Sequence, residues 1–379
     1  GSLFDALGYP PDHMDFAYEN GCDALALTDH GNANGLSHQV LHAKKMREQG
    51  KTFKPIFGCE AYFIPSISEW RDEYEKALED KKRAKSLGSE LSGATVEDEN
   101  SSKKVQDVLR RRRHLILLAQ NQTGLQNIFK LISESYKSEN FYRYPRMDYD
   151  LLAKYGEGVI AASACLGGVY AGNFWENREE GDEAVLNAMR ETTRKMVSIF
   201  GDRWYGELQW NNVPEQHKLN QFIIKMHEEF GIGLISTADS HYPNPDAWKD
   251  RELYKRLGWL GKAAPSYEST ELPIDVDEIG YELYPKNGDQ MWESYKKYSA
   301  ECGVEYDDDL VLQSIRHTHE IAHQRIEDFL PDNTVRLPDF VVPAGYTATQ
   351  ALVNMSIEGL RVKGFHNDKE YTERLRHEL

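Results

Sequence analysis

The chain has 379 residues, 40% of them hydrophobic, with a formal net charge of −17. That length implies two domains or one barrel with an appendage, while the lack of any run near the ~18 apolar residues of a membrane span, or of a secretory or transit signal in GSLFDALGYPPD, leads us to expect a cytoplasmic protein off the membrane. The acidic balance argues against coating nucleic acid through many phosphate contacts, leaves room for a site that admits one strand end, and suits divalent metals.

In chain order, PPDHMDFAYENG (residues 10–21) carries helix punctuation, with prolines at its start, Met14, Ala17 and Tyr18 on one face, and a closing glycine. DALALTDHGN follows. Its apolar run Ala24 to Leu27 stops abruptly at Thr28, Asp29, His30 and Gly31, which predicts a buried strand presenting polar side chains at its C-terminal end, where α/β folds gather ligands and metals. Taken alone, the stretch reads more readily as a strand followed by a plain Asp/His/Gly turn; recurrence of the pattern along the chain is what points to chemistry. Residues 36–50 predict a helix with Leu36, Val40, Ala43 and Met46 inward, and KPIFGCE (Lys54 to Glu60) a second strand ending in an acid.

Residues 66–113 are rich in Glu, Asp, Lys, Arg and Ser, with few apolar anchors. They predict an inserted helical or partly disordered excursion that folding does not require, ending in Arg110 to Arg113. That arginine run is either a solvated face or a phosphate contact. HLILLAQ from His114 predicts a third strand, followed by a helix with Leu125, Ile128, Phe129, Ile132 and Tyr136 in register. GVIAASAC ending at Cys165 predicts a fourth strand, WYGELQW (Trp204 to Trp210) a fifth and IGLISTADSH (Ile232 to His241) a sixth, with helices over 181–200 and 214–230 between them. Such alternation implies a parallel sheet and, over ~250 residues, a barrel more than an open sheet. Beyond residue 262 the rhythm breaks: loops fill 263–310, a helix spans 311–329, 338–343 form an extended linker, and helices follow over 348–363 and 369–379.

The chemistry-bearing residues collect at strand ends and starts: His30, Glu60, His114, Cys165, Asp239 and His241, with Asp5 in the opening loop. Imidazoles, carboxylates and one thiolate suit zinc or manganese, and the set is large enough for two or three ions, which points to phosphoester hydrolysis by a multinuclear centre. His114 or Cys165 alone reads as readily as a packing residue. Asp239 and His241, alternate residues at a strand end, point the same way and can share an ion. The four cysteines, Cys22, Cys59, Cys165 and Cys302, are far apart and form no CxxC, which fits a reducing compartment.

ALALTDHGN, KPIFGCEAY, HLILLAQNQTG, FYRYPRMD, IAASACLGG, YGELQW and TADSHY, in this order, resemble the PHP (polymerase and histidinol phosphatase) domain of bacterial and phage DNA polymerase III alpha subunits, the C-family replicative polymerases. LPDFVVPAGYTATQALVNMSIEGL and EYTERLRHEL resemble the stretch leading into that family's palm. The resemblance implies a distorted seven-stranded TIM-like (β/α) barrel with a trinuclear metal site. Asp5, His30, Glu60, His114, Cys165, Asp239 and His241 match the family's ligands, and His30, Glu60, Asp239 and His241 are expected to carry catalysis. It further implies an HxH pair just before the segment matching Ser2 to Ala6. The chain begins after it, so the first strand and two ligands are expected to be missing, and the palm's catalytic aspartates fall beyond the last residue.

The domains expected are a barrel over 1–262, a helical and loop extension over 263–335, and the start of a truncated palm over 336–379. The function expected is that of the N-terminal region of a DNA-directed DNA polymerase with a metal-dependent 3′–5′ exonuclease site. It would take up to three zinc or manganese ions, with magnesium serving the parent polymerase. The expected partners are a single-stranded 3′ end or primer-template and other replisome subunits. Its rivals are a stand-alone phosphatase acting on a small monoester and a scaffold without catalysis.

Overall fold

A computed structural model describes residues 5–90, 96–259, 281–335 and 337–379; expectations that fall on residues 1–4, 91–95, 260–280 and 336 lie outside the described residues. The chain divides into two compact units, Gly1–Pro331 and Asp332–Leu379. None of the described helices is long and apolar enough to cross a membrane.

The first unit is built on strands β1 (Ala24–Leu27), β2 (Lys54–Phe63), β3 (Arg113–Ala119), β4 (Phe141–Tyr142), β5 (Tyr144–Met147), β6 (Val159–Ala162), β7 (Trp204–Leu208) and β8 (Gly233–Ser236). They form one sheet in the order β4-β5-β2-β3-β6-β7-β8, with β1 also beside β2. Helices Gln122–Ser135, Asp182–Phe200 and Pro214–Phe230 cover one face and bury Leu125, Ile128, Met189, Met196, Phe222 and Met226 against Phe57, Leu117, Ala161 and Leu208. On the other face Ile56, Ile160, Ala162, Tyr205 and Ile235 meet Ile321, Ala322 and Ile326, so the end of the unit folds back into the concave side of an α/β half-barrel.

The sheet is mixed, not parallel throughout as alternation had implied. β3 runs antiparallel to both β2 and β6, while β1–β2, β2–β5, β6–β7 and β7–β8 are parallel. The reason lies in the charged excursion. Two helices, Ile67–Glu90 and Val96–Arg110, lead the chain out and back to the end of β2 where it left, so Arg113 pairs with Phe63 and β3 must run in reverse. This puts His114, which opens its strand, level with residues that close theirs.

The few apolar anchors of this excursion gather at its base, where Ile67, Trp70, Ala77, Val105, Val108 and Leu109 form a buried cluster with Ile64 and tie it to the sheet, against the expectation that folding does not require it. Trp70 is 5% exposed and donates its indole N–H to the Val108 carbonyl at 2.9 Å, with the Arg146 guanidinium over its ring at 4.2 Å. Trp70→Ala is therefore expected to cost about 3 kcal/mol and to make this hairpin the first site of limited proteolysis. Urea denaturation and mapping of the first tryptic cuts would measure both, and an unchanged midpoint would show that the hairpin is not coupled to the sheet.

One hairpin had no reading in the sequence and one reading needs correction. FYRYPRMD forms the β4–β5 hairpin, two strands too short to show a period, with Arg143 at its turn at φ 60°. Within 263–310, read as loops, Gly288–Glu301 is a helix opened by an Asn287–Gln290 capping box and seated on Met291, Tyr295 and Tyr298. The helix expected over 311–329 is Asp308–Glu320 followed by a π-helical turn, Ile321–Arg325. In the second unit, helices Ala348–Val362 and Lys369–Glu378 are capped by Thr347 and Asp368.

Candidate metal centre

β1 ends in a polar turn because its register with β2 carries the two chains onward together. Glu60 N–H donates to the Asp29 carbonyl at 3.0 Å and Gly31 N–H to the Glu60 carbonyl at 2.8 Å, placing His30 beside Glu60. Gly31 has φ 65°, and a Cβ there would lie 2.8 Å from Pro145 and 3.0 Å from the Tyr62 ring, so only glycine lets the turn close. Asp29, a sequence candidate, is not part of the cluster: its carboxylate accepts from Gly35 N–H at 2.7 Å, at the start of helix Leu36–Glu48.

His30 Nε2 lies 3.3 Å from Glu60 Oε2, His30 Nδ1 lies 3.4 Å from Asp5 Oδ2, and His241 Nε2 lies 3.5 Å from the same Asp5 oxygen. Bonds of about 2.0–2.1 Å place the donors of a tetrahedral zinc about 3.3–3.4 Å apart, so each separation suits donors that share an ion, although a neutral His30 can ligate through one nitrogen at a time. His114 Nδ1 closes on the other oxygen of Glu60. Two triads result, Asp5–His30–His241 and His30–Glu60–His114, with His30 common to both.

Cys165 and Asp239 stand at the margins. Cys165 Sγ is 3.8 Å from His114 Nδ1, and an Asp239 carboxylate oxygen is 3.7 Å from His241 Nδ1. That nitrogen also meets the Asp239 carbonyl at 2.6 Å; as a donor there it leaves Nε2 free to face the cluster.

The carboxylates raise the pKa of the His30 and His241 imidazoles. Burial alone would lower His241, but Asp239 and Asp5 outweigh it and raise its pKa to about 9. His30 is likewise pushed up, against burial, by Glu60 and Asp5. Burial would raise Glu60 and Asp5, yet the imidazoles hold Glu60 well below the usual carboxylate range, and His241, His30 and Arg251 do the same to Asp5. Cys165 is pushed well above an ordinary thiol by burial and by the Asp239 and Glu60 carboxylates. A cavity of about 780 Å³ runs along β1 and β8 to His30, Glu60 and His241. Nitrogen, oxygen and sulfur donors at one cavity end suit divalent transition ions.

Residues 1–211 match the model of the PHP domain family. The chain belongs to the PHP domain family. It is 32% identical over 370 residues to the DNA polymerase III subunit alpha of Aquifex aeolicus, covering 96% of this chain and 27% of that protein. Against the DNA polymerase III subunit alpha of Thermus aquaticus it is 32% identical over 340 residues, covering 89% of this chain and 23% of that protein. The chain thus spans about a quarter of the length of the curated relatives it matches. An amidohydrolase from Chromobacterium violaceum is 15% identical and aligns over 66% of this chain and 93% of its own at a TM-score of 0.31, a weak likeness.

Two residues around the cluster, Glu207 and Arg251, escaped the sequence reading. Glu207 in β7 is 3% exposed; its carboxyl accepts from Ala164 N–H at 2.8 Å and from the Thr237 hydroxyl at 2.7 Å, and burial raises its pKa to about 7 against those two bonds. It ties together the turns before Cys165 and Asp239, where Ala164 and Asp239 hold positive φ of 60° and 49°. A carboxylate inside the apolar WYGELQW run was the available signal. Arg251 grips Asp5 through its carboxylate at 2.9 Å and its carbonyl at 2.7 Å, and no local pattern announces it.

Proposed function

We propose that this chain is the PHP region of a DNA polymerase III alpha subunit, a soluble cytoplasmic replication enzyme. On this reading its cluster is a phosphoesterase centre for zinc or manganese that removes nucleotides from a 3′ end. The observation that carries the reading is the convergence of Asp5, His30, Glu60, His114 and His241 from five separated segments at donor separations that suit shared ions. Relatives that are DNA polymerase III alpha subunits along nearly the whole chain support the replicative context. Residues 336–379 would begin the palm, and DNA and other replisome subunits would be partners of the parent protein.

Bound ions would supply a hydroxide of lowered pKa and stabilise the leaving oxygen. The residues present do the rest. Arg251 fixes Asp5, the Asp239 carbonyl orients His241, and Glu207 braces the Cys165 and Asp239 turns. Arg112, whose guanidinium lies 4.0 Å over the Tyr144 ring, neighbours Tyr62, which packs on His114; it offers a cation for a phosphate oxygen at the rim.

The test is release of mononucleotides from single-stranded DNA, with and without EDTA, beside a small phosphomonoester. It would use this chain and a version extended by an HxH-bearing N-terminal segment. The expected result is EDTA-sensitive cleavage of DNA that His241→Ala reduces at least ~100-fold without unfolding the chain. Monoester cleavage without DNA cleavage would replace this reading with a phosphatase, and a metal-loaded extended chain inactive on both would replace it with a scaffold.

A further inference from the structure

At the opposite end of β1, Asp23 precedes the strand and meets His319 and His323. The length of β1 separates this group from the central cluster, about 13 Å at 3.3 Å per residue. His319 and His323 are spaced i, i+4, on one face, with ring centroids 4.4 Å apart. Asp23 Oδ2 lies 3.0 Å from His323 Nε2 and 4.0 Å from His319 Nδ1, and one donor atom from each residue falls within 4.8 Å of the others. The donor separation around a tetrahedral zinc, about 3.3–3.4 Å, sits between those two distances.

The chain carrying these imidazoles is held on several sides. Lys54, buried at the start of β2, donates its ammonium to the carbonyls of Ala322 and Ile326, on either side of His323. Arg325 reaches the Asp202 carboxylate at 2.8 Å and the Tyr205 hydroxyl at 2.5 Å, and Gln120 donates to the Arg325 carbonyl at 2.9 Å. Ile321, Ala322 and Ile326 pack beneath, on the concave face of the sheet. The turn is π-helical, a rare conformation that recurs at functional sites. A cavity of about 970 Å³ bounded by Asp23 and His323 gives an ion a way in.

We propose that Asp23, His319 and His323 form a second divalent-metal site, separate from the central cluster, with zinc as its ion and water completing the coordination. Two imidazoles and one carboxylate select zinc, nickel or copper over magnesium or calcium. The bound ion would clip the end of the first unit to its first strand, nearly 300 residues earlier in the sequence. Its role is structural, so the proposal stands or falls apart from any activity of the central cluster.

The test is zinc titration of the purified chain at pH 7.5, by calorimetry and by thermal melting. It compares the wild type with the double variant His319→Gln/His323→Gln and with Asp23→Asn. All three residues are exposed or half-exposed, so the variants should fold, which circular dichroism would check. The expected result is loss of one zinc equivalent in the double variant, at least ten-fold weaker binding at that equivalent in Asp23→Asn, and loss of a zinc-induced rise in melting temperature in both. Copper(II) bound to a variant carrying His30→Ala, His114→Ala and His241→Ala should still show nitrogen coupling in its electron paramagnetic resonance spectrum, and adding His319→Gln/His323→Gln to that background should remove the coupling from the first equivalent bound. Equal zinc stoichiometry and affinity in wild type and double variant would overturn the proposal, and so would binding that disappears with His30→Ala alone.

Discussion

His30→Ala is expected to strip more metal from this chain than any other single substitution in the cluster. His30 is the one residue common to both triads: Nδ1 faces Asp5, Nε2 faces Glu60, and its ring stands 5.3 Å from that of His114 and 5.9 Å from that of His241. A neutral imidazole offers one lone pair, so a single ion takes His30 as a ligand while the other nitrogen hydrogen-bonds the carboxylate of the neighbouring site. Its removal deletes a ligand from one ion and the orienting partner of a ligand from the next. Loss of an orienting partner alone weakens metal binding about 10–100-fold, and loss of a ligand should cost at least as much. His114→Ala touches one triad and should leave an ion in the other. Metal content after dialysis against a buffered zinc or manganese solution would decide the order. Equal losses from the two variants would show that the triads do not share His30.

How far the centre could be read in advance depended on how local its causes are. His30, Asp239 and His241 follow apolar runs, and Glu60, read as the end of its strand, interrupts one that β2 continues to Phe63; a strand's hydrophobic pattern is written in consecutive residues. Their convergence at one end needed only the rule that such sheets gather ligands outside one edge. His114 broke the pattern by opening its strand. Its placement depends on two helices between β2 and β3 returning the chain to the end it left, and helix parity within a charged excursion is not carried by periodicity. Glu207 and Arg251 depend on partners far away in the sequence, Thr237 and Asp5, so their types could be seen but their burial could not. Asp29 carried the same local signal as His30 and turned toward a helix N-terminus instead, a choice that one residue of strand register makes.

The metal-free chain is expected to be most stable near pH 5–6 and to weaken as pH rises toward 9, the reverse of its metal-loaded form. His241 has its folded pKa raised from 6.5 to about 9, against burial, by Asp239 and Asp5. A raised folded pKa means that the folded state holds a proton the unfolded chain has released, so stability is fully present below pH 6.5 and lost as pH climbs through about 9. At 1.36 kcal/mol per pH unit, that interval corresponds to about 3 kcal/mol. His30 acts in the same direction. Glu60 and Asp5 are depressed, so the stability they bring is present above the ordinary carboxylate values and lost as pH falls below them. The imidazoles and carboxylates share one set of ion pairs, so the acid and alkaline losses are two ways of breaking the same contacts and do not add. Glu207, buried and raised from 4.5 to about 7, loses its contribution earlier, as pH rises from about 4.5 through about 7, and Glu207→Gln should remove that share while keeping the Ala164 N–H bond. Ligated zinc needs neutral imidazoles and ionised carboxylates, so a loaded centre gains stability over the same interval in which the metal-free one loses it. Urea denaturation at pH 6 and pH 9, in EDTA and after metal reconstitution, would expose the crossing. A metal-free midpoint that stays flat between the two pH values would show that His241 is not held charged by Asp5 and Asp239, and would remove the electrostatic basis for placing an ion between them.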